Sequence, residues 1–176
     1  MNDTKIEKLK KLIRDIPDFP KEGIIFKDIT PLIGDKEGLT TSLDLLSQPF
    51  SASNITAVCG MESRGFIFGV PVAERLGVGF VPVRKPGKLP SETLSQEYAL
   101  EYGTDALEIH KDALSADDRV LIIDDLLATG GTAEATVALV RATGAKVVGV
   151  AFVIELAFLD GRQKLKDLVI HSLITY

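Results

Sequence analysis

Apolar positions recur along this chain in two different periods. Ile6, Leu9, Ile13 and Ile16 stand three and four residues apart behind Thr4-Lys5-Ile6-Glu7, a capping-box pattern. A first helix is therefore predicted up to Pro17 and Pro20, with Lys5, Lys8, Lys10 and Lys11 on its wet face. Residues 19–31 show no period, yet Phe19, Ile24, Ile25 and Phe26 are too apolar for a free loop. A second helix is predicted over 37–46. Short apolar runs then mark buried strands at 55–59, 79–83, 120–123, 146–154 and 168–174, with helical patterns at 65–75 and 133–142 between them. Residues 84–94 read as a polar loop and 95–109 as a hairpin. Strands alternating with helices predict an α/β fold: a single domain over 1–176, with a mostly parallel central sheet flanked by helices.

Composition narrows the picture. With 176 residues and 45% hydrophobic content, the chain can bury one substantial core. A net charge of −5 argues against general nucleic-acid affinity. The single cysteine, Cys59, lies in the strand-like ITAVC and reads as a core residue in a reducing compartment. The longest apolar run, 147–154, is too short to span a membrane, and no secretory stretch is seen near Met1, so a cytoplasmic location is expected. His110 and His171 do not suggest a histidine metal site.

The chemistry concentrates in RVLIIDDLLATGGT, residues 119–132. A buried strand ends in Asp124 and Asp125, followed by Thr129-Gly130-Gly131-Thr132 and a helix. The glycines allow a tight turn whose N–H groups converge on one anion at a helix N-terminus, and the threonines add hydroxyl donors. The carboxylates would repel a phosphate and so must face sugar hydroxyls or a cation. A phosphorylated sugar across the carboxyl ends of a parallel sheet satisfies both demands. Neither G-x-x-x-x-G-K-[ST] nor G-x-G-x-x-G occurs, which removes two other phosphate motifs. GMESRG, residues 60–65, occupies the same place after its own strand, and Arg64 offers a fork of donors suited to diphosphate.

IIDDLLATGGT resembles the phosphoribosyl diphosphate-binding motif of the type I phosphoribosyltransferases, and its LLATGGT ending resembles the adenine-specific members. FPKEGIIFKDITPL, GMESRGFIFG, RKPGKLP and LEYGTDALEIHKDAL follow that family's order, so the likeness spans nearly the whole chain. It implies transfer of the 5-phosphoribosyl group from 5-phospho-α-D-ribose 1-diphosphate to adenine, giving AMP and diphosphate. By resemblance, Asp124 and Asp125 hold the ribose, Ala128, Thr129, Gly130, Gly131 and Thr132 hold the 5′-phosphate, and Ser63, Arg64, Arg84, Lys85 and Lys88 hold the diphosphate. The family's diphosphate loop contains a non-proline cis peptide, which falls here at Glu62-Ser63. Residues 16–32 correspond to a hood that reads adenine through Ile25, Phe26 and Lys27, with Leu126 on the other face of the base. Many relatives carry Arg where this chain has Lys27. Residues 84–103 correspond to a mobile catalytic loop in which Glu101 is the general acid on the purine and Arg64, Asp124 and Asp125 complete the catalytic set. Mg²⁺ is implied as cofactor, carried by substrate oxygens and water rather than by a protein cage. A homodimer is implied as well, with Arg84 reaching the neighbour's diphosphate.

Two other functions fit the same motifs. One is a phosphoribosyltransferase for hypoxanthine, guanine or xanthine, which differs chiefly in the hood. The other is a non-enzymatic regulator that senses phosphoribosyl diphosphate, which usually adds a DNA-binding domain or a basic RNA-binding face that this acidic chain lacks.

Overall fold

A computed structural model describes residues 2–99 and 104–176. The chain divides into two compact units, Met1–Leu45 and Leu46–Tyr176. In the first, helix α1 (Asn2–Lys10) precedes strands β1 (Arg14–Pro17) and β2 (Ile25–Asp28), which pair antiparallel. Helix α2 (Thr30–Gly34) follows, then α3 (Lys36–Ser47), whose last residues enter the second unit.

Three expectations change here. The first helix begins by Asn2, so Thr4-to-Glu7 lies inside it and is not its cap. Asp3 in the first turn and Lys8 and Lys10 in the last suit the helix dipole instead. The helix also stops at Lys10, before the predicted prolines: Leu12 N–H donates to Leu9 O and Ile13 N–H to Lys10 O, tightening the end. Ile16 then belongs to β1 opposite Phe26, because strand pairing outweighs the helical period. Finally, the segment without period is partly regular, containing β2 and the start of α2.

In the second unit, β3 (Ala57–Met61), β4 (Gly79–Val83), β7 (Arg119–Leu127), β8 (Lys146–Glu155) and β9 (Val169–Thr175) form one parallel sheet in the order β4-β3-β7-β8-β9. Helix α4 (Arg64–Leu76) connects β3 to β4, and α5 (Gly131–Ala142) connects β7 to β8. These crossovers run to opposite sides of the β3–β7 pair, and right-handed connections then put the two helices on opposite faces. The mostly parallel sheet flanked by helices is thus as predicted. Strand interiors are almost wholly apolar, and Val58, Cys59, Leu121, Ile122 and Ile123 are fully buried. Burial pushes the Cys59 thiol up to about 12, as befits a core residue.

Strands β5 (Thr93–Ala99) and β6 (Thr104–His110) form a separate antiparallel hairpin that packs on α5, with Leu107 and Ile109 in the core. Residues 93–99, which the resemblance included in a mobile loop, are therefore strand. Gly60 and Gly69 explain how α4 sits so close to β3 and β4. A Cβ at either would meet the Phe80 ring at 2.7 or 2.6 Å.

Candidate active site

β3 and β7 are neighbours, yet their helices leave for opposite faces. A crevice opens at the carboxyl ends of such a pair, where the direction of winding reverses. The β3 ladder ends at Gly60 opposite Ile123, while β7 continues beside β8, with Asp124 opposite Phe152 and Leu126 opposite Ile154. The strand was expected to stop before the acidic pair. It runs through the pair to Leu127 because β8 still supports it on the other side. Asp124 and Asp125 are thus fixed by sheet backbone, beyond the end of their β3 ladder.

The start of α4 closes on this edge. A Cβ on Gly65 would come within 2.9 Å of Asp124 Oδ1 and 3.0 Å of the Ile123 carbonyl, so the approach requires glycine. Asp125 N–H donates to Asp124 Oδ1 at 2.9 Å. Arg64 Nη2 stands 2.7 Å from Asp125 Oδ2, close enough for an ion pair but out of line for a hydrogen bond. Asp125 Oδ2 is consequently a buried acceptor with no hydrogen-bond donor among the described residues. Burial and the neighbouring Asp125 charge raise Asp124 well above the usual carboxylate range, although part of its surface still reaches solvent. Burial also raises Asp125, against the opposing pull of Arg64. Two close acids share one guanidinium, and Asp125 Oδ2 still has no donor among the described residues; sugar hydroxyls or a hard cation can supply what is missing.

Both helix N-termini at the crevice lack a side-chain cap. Ser63 precedes α4 and Gly130 precedes α5, and neither start is closed by a side-chain hydrogen bond. Uncapped N–H groups of this kind suit anions. Of the two glycines in the turn, Gly130 alone takes a positive φ, +79°, and a Cβ there would meet the Gly161 carbonyl oxygen at 2.6 Å. Thr129 is exposed and Thr132 half-buried. The peptide Glu62-Ser63 is cis, at the position the resemblance implied.

The basic arm after β4 is tied down by carboxylates. Arg84 donates through Nε and Nη2 to the two Glu62 oxygens at 3.2 and 3.1 Å, and through Nη1 to the Lys88 carbonyl at 3.0 Å. Lys85 N–H also donates to Glu62, at 3.1 Å, while Lys85 Nζ pairs with Asp105 at 3.1 Å. The Arg84 hydrogen bond holds the Glu62 carboxyl below its ordinary range, and Asp105 raises the Lys85 ammonium. Tyr98 donates to the same Asp105 carboxylate at 3.3 Å. Glu62 and Asp105 were not singled out in the sequence, since neither stands near its partner cation there.

Ser63, Arg64, Asp124, Asp125, Leu126, Ala128, Thr129, Gly130, Gly131 and Thr132 lie on the two junctions where β3 and β7 lead into their helices, and Arg84, Lys85 and Lys88 follow β4. Ile25, Phe26 and Lys27 lie on β2 in the first unit. There Ile25 is exposed, Phe26 meets Phe19 edge to face at 5.2 Å, and the buried Lys27 ammonium pairs with Asp15 at 2.7 Å. Glu101 lies outside the described residues. Among the described residues no group of three or more His, Cys, Asp or Glu could hold a metal ion, and no helix is long and apolar enough to cross a membrane.

Comparison with known proteins gives a consistent result. The phosphoribosyl transferase domain family matches residues 42–172. An adenine phosphoribosyltransferase of Trichormus variabilis is 59% identical over 170 residues, 96% of this chain and 99% of the relative. The crystal structure of adenine phosphoribosyltransferase from Thermoanaerobacter pseudethanolicus superposes with a TM-score of 0.95 at 56% identity, covering 97% of this chain and 99% of that one. The Saccharomyces cerevisiae adenine phosphoribosyltransferase, solved with an iminoaltritol bisphosphate and adenine, matches with a TM-score of 0.92 at 42% identity over 97% of this chain and 99% of its own.

Proposed function

This chain belongs to the phosphoribosyl transferase family, and we infer that it transfers the 5-phosphoribosyl group of 5-phospho-α-D-ribose 1-diphosphate to adenine, giving AMP and diphosphate. One observation carries the chemistry: an acidic pair whose buried member, Asp125, has an unsatisfied acceptor, set between two uncapped helix N-termini. The choice of adenine rests on relatives that bear that activity in their names across nearly their full length.

In this reading the 5′-phosphate sits on residues 128–132 and the ribose hydroxyls donate to Asp124 and Asp125. The diphosphate takes Ser63, Arg64, Arg84, Lys85 and Lys88. For Arg64, Arg84 and Lys85 this means exchanging their present carboxylates for substrate oxygens. The C1′–N9 bond forms as the C1′–O bond breaks, the electron pair leaves with diphosphate, and the ring proton that adenine gives up is taken by an acid–base group acting on the purine. The protein contributes alignment and a preset field more than covalent chemistry. Enzymes of this family generally depend on magnesium, and the oxygen-only acceptors Asp124 and Asp125 fit such an ion's water shell. When bound with the substrate it supplies positive charge to the diphosphate.

Adenine recognition is assigned to Ile25, Phe26, Lys27 and Leu126, with Lys27 acting through its backbone, since its side chain is engaged with Asp15. Glu101 is assigned as the acid–base group, the general acid on the purine in AMP cleavage and the acceptor of its proton in AMP formation. We take the whole of 1–176 as one functional domain, acting as a cytoplasmic homodimer. Incubating the protein with phosphoribosyl diphosphate, Mg²⁺ and adenine, guanine, hypoxanthine or xanthine in turn should yield AMP and little else. Formation of GMP, IMP or XMP at comparable rates would overturn the adenine assignment, and no nucleotide at all would overturn the enzyme.

A further inference from the structure

Behind the phosphate turn stands a support that the reaction as described leaves unused. The chain leaves β8 at Glu155, makes a short 3-10 turn over Ala157–Leu159, and passes through Asp160, held at φ 56°, into a second over Gly161–Leu165. The backbone of Gly161 meets the turn directly. A Cβ on Gly161 would overlap the Ala128 carbonyl and come within 3.0 Å of Gly130 N, while a Cβ on Gly130 would strike the Gly161 carbonyl. Two backbones therefore touch where each lacks a side chain, and the position of one fixes the other.

The next residue pins this segment. Arg162 donates through Nε to Glu155 Oε1 at 2.5 Å and through Nη2 to Oε2 at 2.7 Å, and Nη2 also reaches Ser172 Oγ at 3.5 Å. Glu155 is 4% exposed and lies opposite Leu127 in the ladder, three residues before Gly130. Burial alone would raise the Glu155 carboxyl, but Arg162 and Ser172 together outweigh it and hold it below its ordinary range. Further along, Lys164 Nζ stands 3.3 Å from Glu134 in the first turn of α5. Leu156 N–H donates to the Leu127 carbonyl at 2.9 Å, stitching the exits of β7 and β8.

We propose that Glu155, Arg162 and Gly161 form a strut that positions the Ala128–Gly131 turn for phosphate, making them positioning residues for the transfer reaction. The proposal rests on the reading that this turn holds the 5′-phosphate. A bidentate pair whose carboxylate is buried is directional, so it can fix Gly161 even though the Arg162 side chain is half exposed. Fixed N–H groups gain their hold on an anion from not having to reorganise, and a displacement of about 1 Å can cost about a hundredfold.

Three variants of the full chain test it: Glu155→Gln, Arg162→Lys and Gly161→Ala. The first two loosen the pair, one keeping size and the other keeping charge; the third leaves the pair intact and displaces the turn through its new Cβ. Ribose 5-phosphate binding would be measured by calorimetry, alongside the KM values for phosphoribosyl diphosphate and adenine and the thermal midpoint. The strut predicts that ribose 5-phosphate affinity weakens roughly tenfold or more. The KM for phosphoribosyl diphosphate should rise in step, while that for adenine stays within about twofold. Unchanged ribose 5-phosphate affinity in folded Gly161→Ala would overturn the strut while leaving the phosphate site in place. So would a lowered midpoint accompanied by a uniform loss of kcat with both KM values intact. A parent protein that binds neither ribose 5-phosphate nor AMP would overturn the phosphate assignment and the strut with it.

Discussion

The junction after β3 and the junction after β7 occupy equivalent places at the switch point, and each begins a helix without a side-chain cap. They are built from opposite materials. The first, Met61 to Gly65, carries Glu62 and Arg64, and its surroundings add Arg84 and Lys85, so its charge sits on side chains with carboxylate partners. The second, Ala128 to Thr132, carries no charged side chain at all and relies on a glycine turn seated against the Gly161 backbone. Side-chain charge can change partners as a substrate arrives and leaves. A packed backbone turn cannot. The first junction therefore suits the departing diphosphate, and the second suits the 5′-phosphate, which stays put during the reaction. The acidic pair lies between them and belongs to the rigid side, because β8 continues to ladder it.

If that division is right, neither junction exchanges a proton with the base, and the acid–base group must come from elsewhere. Glu101→Gln should then show the largest loss, about 10²–10⁴-fold in single-turnover AMP formation, the usual span for general acid assistance. Glu97, itself exposed on β5, is the control and should tolerate Gln. Equal losses at both positions would reduce the effect to loop charge, and none at Glu101 would vacate the acid role.

Asp124→Asn with Asp125→Asn comes next. Loss of two preset acceptors should lower kcat by about 10²–10³-fold, while the fold survives because the strand backbone is untouched. The pH dependence of stability gives a second readout. Both folded-state values are raised, so the folded chain binds protons more tightly than the unfolded one. The parent should therefore lose stability as pH rises from the ordinary carboxylate range through those raised values. The double variant should lack that loss, matching or exceeding the parent's melting point at neutral pH, with the gap closing on acidification. A variant with normal turnover would remove the pair from the mechanism.

The second junction can be broken in two ways. Gly130→Ala forces a side chain onto a positive φ and into the Gly161 carbonyl, so it should cost about 1–3 kcal/mol of stability and also weaken AMP binding. Gly131→Val sits at the start of α5 without a positive φ. It should crowd the anion, weakening AMP binding roughly tenfold, about 1.4 kcal/mol, without the positive-φ strain that Gly130→Ala adds. Calorimetry with AMP beside a thermal melt separates the two, and intact AMP affinity in both would move the phosphate elsewhere.

The second junction was legible in the sequence because its parts are contiguous: strand, acids, turn and helix follow one another within fourteen residues, 119–132. Buried parallel strands were legible for the same reason, since each is a short apolar run with its own boundaries. The first junction was half legible. Arg64 and its glycines announce themselves, but Glu62 acquires its role only when β4 brings Arg84 alongside, 22 residues later. Gly161 and Arg162 were invisible, because their importance comes from packing against Gly130 and Glu155 across the chain. At the N-terminus, a helical spacing continued into Ile16, whose strand partner Phe26 lies ten positions on, and periodicity cannot report such pairing.

The smallest effect should come from Glu62→Gln, and its direction decides what the first junction is for. Glu62 holds Arg84 through both carboxylate oxygens and accepts from Lys85 N–H, so it competes with diphosphate for the same donors. Part-exposed pairs of this kind contribute about 0–1 kcal/mol, which bounds the change at about fivefold. If the cations must change partners, the amide holds them less firmly, and the KM for phosphoribosyl diphosphate should fall by about two- to threefold at neutral pH. Because Arg84 depresses the Glu62 carboxyl, its contribution to stability is present above the unfolded carboxylate value and lost as pH falls through the folded one. Parent and variant should therefore differ in melting point at neutral pH and converge in acid, and salt should narrow the KM difference by screening. A rise in that KM would reverse the assignment, making Glu62 the residue that aims Arg84 at diphosphate. The first junction would then be as preset as the second, and the contrast between exchangeable charge and fixed backbone would fail.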